Sequence, residues 1–101
     1  MATEAAATTP DDPVAYFLQD LTYHGKTERT REAYERVLRA FETFVRDERG
    51  TSLEAATQRE CMAWIHGLRG ERSPSTVATY AAYLHRFYGY MVQVGAFDSN
   101  P

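Results

Sequence analysis

The sequence predicts an all-α fold, a single bundle of four helices, on three observations. Apolar residues recur at three- and four-residue spacing in four separate stretches, each stretch is bracketed by capping residues and glycine, and one long stretch repeats another 46 positions later without a gap. No strand-like alternation survives between them. At 101 residues the chain holds about one domain.

Residues 1–12 (MATEAAATTPDD) carry no large apolar side chain, so burial cannot offset the entropy of ordering them, and a disordered tail is expected. The first helix is expected over 13–23, with Asp12 as N-cap, Pro13 at its first position, Val14, Phe17, Leu18 and Leu21 as its apolar stripe and Gly25 as its stop. Thr27 opens the second and longest helix, whose stripe is Ala33, Tyr34, Val37, Leu38, Phe41, Phe44 and Val45, and Gly50 ends it. Glu32 with Arg36, Glu35 with Arg39 and Glu42 with Arg46 stand four apart on its outer face, the spacing of ion pairs on a solvated helix. The third helix starts from a capping box, Thr57 with Glu60, and runs through Cys61, Met62, Trp64, Ile65 and Leu68 to Gly70. The fourth starts at Ser73 with Pro74 behind the cap and continues to about Val94, before Gly95.

The repeat aligns TERTREAYERVLRAFETF from Thr27 with SPSTVATYAAYLHRFYGY from Ser73. Thr30 pairs with Thr76, Tyr34 with Tyr80, Leu38 with Leu84, Phe41 with Phe87 and Phe44 with Tyr90, all on one helical face. Leu38, Leu84, Phe41 and Phe87 are therefore expected in a shared core. The two starts are more informative: each has Ser or Thr at the cap and Thr three positions later, where free amides and the positive dipole end attract anions. Lys26, Arg29 and Arg31 surround the first start; Arg69, Arg72, Ser73 and Ser75 surround the second. A phosphate site and ordinary capping are both open readings of these starts. Between Glu71 and Asp98 there is no acid, which suits either a face turned to a polyanion or a largely buried central helix.

Net charge is −3, yet all eleven Lys and Arg lie between Lys26 and Arg86 among nine acids, leaving the folded part slightly basic and the flanks acidic. No apolar run reaches the roughly 20 residues of a membrane span. A signal-like N-terminus is lacking and Cys61 is the single cysteine, so a cytoplasmic setting is expected. Cys61 and His66 are too few for a structural zinc site, and no phosphate-loop or dinucleotide glycine pattern is present, so no cofactor is expected.

In their joint order, "T-x-x-T-x-x-A-Y-x-x-x-L-x-x-F" from Thr27, a Trp-containing third helix, "S-P-S-T-x-x-x-Y-x-x-x-L-x-x-F-Y-x-Y-x-x-x-x-G" from Ser73 and the closing Asn100-Pro101 resemble the N-terminal SAM-like, core-binding domain of tyrosine recombinases of the phage-integrase and Xer type. The resemblance covers residues 13–101. It implies an orthogonal four-helix SAM-like bundle that forms one arm of a clamp around duplex DNA at a recombination half-site, with the second and fourth helices on the DNA. It implies DNA-facing roles for Lys26, Thr27, Arg29, Thr30, Arg31, Arg72, Ser73, Ser75, Thr76 and Thr79, with Arg86 further along the fourth helix. It also implies that the catalytic tyrosine and its Arg, Lys and His-x-x-Arg partners belong to a second domain beyond Asn100-Pro101, so the expected partners are DNA, that catalytic domain and other recombinase protomers, with no membrane and no small-molecule substrate. His66-Gly67-Leu68-Arg69 has the spelling of that catalytic motif but falls in the third helix of the wrong domain, and none of the seven Tyr can be paired with a base from sequence.

The competing reading is a helical protein-interaction bundle, which exposed apolar residues such as Phe97, Tyr90 or Met91 would favour. A helix-turn-helix regulator is less consistent, because no short two-helix unit with a tight glycine turn is present.

Overall fold

A computed structural model describes residues 11–98. Most of the expected 1–12 tail and the Asn100-Pro101 junction lie outside the described residues; Asp11 and Asp12 lie within them. Four helices follow in order: α1 Pro13–Tyr23, α2 Glu28–Asp47, α3 Gln58–Leu68 and α4 Pro74–Gln93. No strand occurs among the described residues.

The expected caps form. Asp12 accepts from the Ala15 amide at 3.1 Å, and Pro13 follows it at the first helical position, where a missing N–H costs nothing. In α3 the Glu60 carboxylate accepts from the Thr57 amide at 2.8 Å and from its hydroxyl, while Thr57 Oγ1 accepts from the Arg59 amide at 3.2 Å. The Thr57 hydroxyl and amide hold the Glu60 carboxyl well below its usual 4.5, at about 2.

The two repeat helices α2 and α4 form the centre of the bundle. Each packs on the other and on both α1 and α3, while α1 and α3 do not touch. Leu38, Phe41, Leu84 and Phe87 are all buried, as their spacing requires. Each such side chain contributes roughly 1.5–3 kcal/mol by leaving water. On one flank Phe17 of α1 meets Tyr34 and Phe87 edge-on, both at 5.5 Å; on the other, Trp64 of α3 lies 5.2 Å from Phe41. The flanking helices thus wedge aromatic rings into the two sides of the α2–α4 seam.

The link between α2 and α3 also enters the core, because Leu53 and Ala56 are buried. The Tyr88 hydroxyl donates to the Leu53 carbonyl at 2.7 Å, satisfying a backbone acceptor that burial would otherwise strand. Burial pushes the Tyr88 phenol far above its ordinary value, so it remains protonated. After α4, Gly95 takes a positive φ of 81°, the left-handed position that lets Ala96 and Phe97 donate back to the Met91 carbonyl at 2.9 and 3.1 Å. That turn folds Phe97 onto Tyr88 and Phe87, with ring centroids 5.7 and 6.0 Å away.

The charges on α2 pair differently from simple four-residue spacing. Arg39 makes two hydrogen bonds to Asp12, at 2.9 and 3.0 Å, and a third at 3.0 Å to Glu42, with Glu35 at 3.9 Å. Glu42 is therefore taken by Arg39, and Arg46 turns to Asp47 at 3.0 Å. Glu32 and Arg36 form no ion pair among the described residues.

Candidate nucleic-acid interface

The starts of α2 and α4 are built alike, atom for atom at the cap. Thr27 Oγ1 accepts from the Thr30 amide at 3.2 Å and its hydroxyl donates to Thr30 Oγ1 at 3.1 Å. Ser73 Oγ accepts from the Thr76 amide at 3.2 Å and donates to Thr76 Oγ1 at 3.0 Å. The sequence repeat is therefore a structural repeat. Capping occupies the Thr27 and Ser73 hydroxyl protons, whereas those of Thr30 and Thr76 still point to no described acceptor, each hydroxyl having one proton to give. The helix pattern also leaves the amides of Glu28, Arg29 and Ser75 without an intrahelical partner.

Tyr34 stacks on Tyr83 with centroids 3.9 Å apart, and seven residues further along α2 Phe41 meets Tyr88, so the contacts advance along both helices in the same sense. Lys26, Thr27, Arg29, Arg72, Ser73, Ser75, Thr79 and Arg86 are exposed, and Thr30, Arg31 and Thr76 are half-buried. Thr79 donates its hydroxyl to the Ser75 carbonyl at 3.0 Å, within its own helix. Arg31 Nε is shielded from solvent and has no described hydrogen-bond partner.

The fourth helix is central but not wholly buried. It packs on all three other helices, yet Ser75, Ala78, Thr79, Ala82 and Arg86 remain exposed along it with no acid among them.

Ion pairing separates the cations into two groups. Arg39, Arg46 and Arg49 carry the arginine–carboxylate pairs among the described residues. Lys26, Arg29, Arg31, Arg72 and Arg86 have no acid within pairing distance among those residues, and neither do Arg36, Arg59 and Arg69. The five cations expected at the interface thus have no carboxylate to release among the described residues before meeting a phosphate, a property they share with Arg36, Arg59 and Arg69.

A model of the phage integrase N-terminal SAM-like domain matches residues 14–95. The chain belongs to this family. No curated protein and no solved structure gives a significant match. The integrase match spans all four helices and both candidate helix starts. This domain is the non-catalytic part of the integrase architecture.

Other features of the integrase domain fall outside the candidate interface. His66 and Arg69 sit exposed at the end of α3. Among the described residues no group of three His, Cys, Asp or Glu is placed to hold a metal, and no helix is long and apolar enough to cross a membrane. Burial pushes the half-buried Cys61 thiol up to about 11, which disfavours the thiolate.

Arg69, expected beside the second start, lines a hollow with Arg72, Pro74 and Val77. The Arg72 guanidinium lies 5.9 Å from the centroid of the Tyr80 ring, which in turn stacks on Trp64 at 5.8 Å. Arg86 Nη1 donates to the Tyr34 hydroxyl at 3.4 Å. Tyr34 and Tyr80 were legible only as core-stripe residues.

Proposed function

We propose that this integrase-family domain is the DNA-binding arm of a site-specific tyrosine recombinase, gripping duplex DNA at a recombination half-site through the starts of α2 and α4 and the acid-free outer face of α4. Residues 13–101 form the binding unit. The reaction itself belongs to a catalytic domain beyond Asn100-Pro101, and that domain and further protomers on DNA are the other partners, in the cytoplasm. The observation that carries this reading is the matched pair of helix starts whose cations have no carboxylate partner among the described residues. Family membership supplies the polyanion they suit.

In this reading Lys26 and Arg72, which are repeat equivalents, meet phosphates beside the free first-turn amides. Arg29, Arg31, Thr30, Ser75, Thr76 and Thr79 surround those contacts, with Thr27 and Ser73 serving mainly as caps. Arg86 reaches from the middle of α4. Phosphate contacts position the domain, and groove-facing side chains give sequence preference.

Of the residues whose exposure would favour the rival, a protein-interaction bundle, Phe97 and Met91 are buried and Tyr90 is half-buried, while Tyr16, Tyr23, Met62 and Val94 are exposed. Fluorescence anisotropy on a labelled mixed-sequence duplex over a series of salt concentrations separates the two. Neutralising about four phosphates gives a slope of log K on log salt near −3.6, and Arg72→Ala or Lys26→Ala each flattens it by about 0.9 without changing sequence preference. Absence of binding at low salt would move the assignment to the protein-interaction bundle.

A further inference from the structure

The two interface arginines outside the first turns are each held by the same residue of the repeat. Tyr34 and Tyr80 are 46 positions apart and equivalent in the alignment of α2 with α4. Each lies nearly parallel to a second aromatic ring: Tyr34 on Tyr83 at 3.9 Å and 19°, Tyr80 on Trp64 at 5.8 Å and 15°. Each also engages one arginine. Tyr34 accepts a hydrogen bond from Arg86 across 52 residues, and Tyr80 presents its ring to Arg72, eight residues earlier. Neither arginine has a carboxylate within pairing distance among the described residues, so these tyrosines are the described groups that orient them.

We propose that Tyr34 and Tyr80 are repeat-related positioning residues that restrain Arg86 and Arg72 before DNA arrives. The proposal rests on the DNA-binding reading above and deepens it. An arginine side chain loses much rotamer freedom when it is fixed on a phosphate, and prior restraint reduces the ordering that binding must impose. A carboxylate would also orient an arginine, but it would cancel the charge that phosphate needs. A tyrosine hydroxyl or ring face orients the guanidinium and leaves that charge in place. The aromatic neighbour fixes the tyrosine in turn: Tyr34 and Trp64 are buried, and Tyr80 and Tyr83 are half-buried.

A pair of double-mutant cycles on DNA affinity, measured with the 101-residue chain at fixed low salt, tests this. Tyr34→Phe removes one hydroxyl and keeps the stacked ring. It should weaken binding about two- to fivefold in the unmodified chain and less than twofold when Arg86→Ala is already present. Tyr80→Leu should do the same through Arg72, whereas Tyr80→Phe, which keeps the ring face, should bind like the unmodified chain. The swapped pairs, Tyr34→Phe with Arg72→Ala and Tyr80→Leu with Arg86→Ala, should simply multiply. A general loss of packing would not know which arginine it belonged to. Should Tyr80→Leu fail to fold, the Tyr34→Phe cycle still decides. Own pairs that multiply as freely as swapped pairs would overturn the positioning role while the DNA reading stands. Absence of salt-dependent binding by the unmodified chain would overturn both.

Discussion

Helices α2 and α4 share a length of 20 residues, a cap geometry and a buried stripe, but their outer faces differ at nearly every charged position. Where α2 exposes Glu28, Glu32, Glu35 and Asp47, the equivalent positions of α4 hold Pro74, Ala78, Ala81 and Gln93, and the half-buried Glu42 corresponds to the buried Tyr88. Glu35, Glu42 and Asp47 of α2 pair with Arg39 and Arg46 of the same helix, so that much of its outer face neutralises itself. Beyond its first turn, α2 offers a polyanion little. The duplicated inward stripe records a packing requirement, and the divergence outside it leaves α4 as the copy whose exposed face carries no acid.

The inward half of that comparison carries the largest expected effect. Phe41 and Phe87 are fully buried equivalents, so Phe41→Ala and Phe87→Ala should each cost about 3–5 kcal/mol in urea unfolding. A cost confined to one of them would mean that the repeat is not one shared core.

The outward half is tested by exchanging charge between equivalent exposed positions. Ala78→Glu places on α4 the acid that α2 carries as Glu32, and should weaken DNA binding by about 1 kcal/mol, roughly fivefold, at low salt. Glu32→Ala should leave affinity within about twofold. Equal and opposite changes from the two variants would show that both helices lie along the DNA for their whole length.

The caps invite a third comparison, because α3 completes its cap with Glu60 where α2 and α4 have Thr30 and Thr76. Thr76→Glu should build a capping box at α4, adding about 0.5–1 kcal/mol of stability while weakening DNA binding, since the helix end would supply its own anion. Glu60 shows the expected pH signature. Its folded-state carboxyl lies below the ordinary 4.5, so its contribution is complete above that value and is lost as pH falls toward about 2. The gain from Thr76→Glu should fade over the same window in acid titrations followed by circular dichroism.

Much of this was legible in the sequence, and the remainder has a common cause. The caps at Asp12, Thr27, Thr57 and Ser73 and the stop at Gly95 are local, depending on residues within a turn of one another. The core stripe follows from periodicity. Sequence could not reveal that Tyr88 ties down Leu53, that Arg39 reaches Asp12 or that Arg86 meets Tyr34, because these contacts join residues 35, 27 and 52 positions apart through the packing of separate helices. The candidate interface residues are legible through the repeat and the family resemblance, whereas Tyr34 and Tyr80 read in sequence only as core aromatics, because their contacts with Arg86 and Arg72 depend on side-chain placement.

The smallest expected effect isolates a cation that has a partner from one that has none. Arg39 is partly exposed and bound to Asp12 and Glu42, so Arg39→Met should cost only about 0.2–1 kcal/mol after solvent screening. Its hydrogen bonds hold the Asp12 carboxyl below the ordinary 3.8. The stability from that pair is therefore present above this value and lost as pH falls through the depressed one, so the gap between Arg39→Met and the unmodified chain should narrow below about pH 4. The salt slope of DNA binding should not move, in contrast to Arg72→Ala. A flattened slope for Arg39→Met would mean that DNA exchanges with Asp12 for this arginine, and that the self-neutralised face of α2 opens on binding.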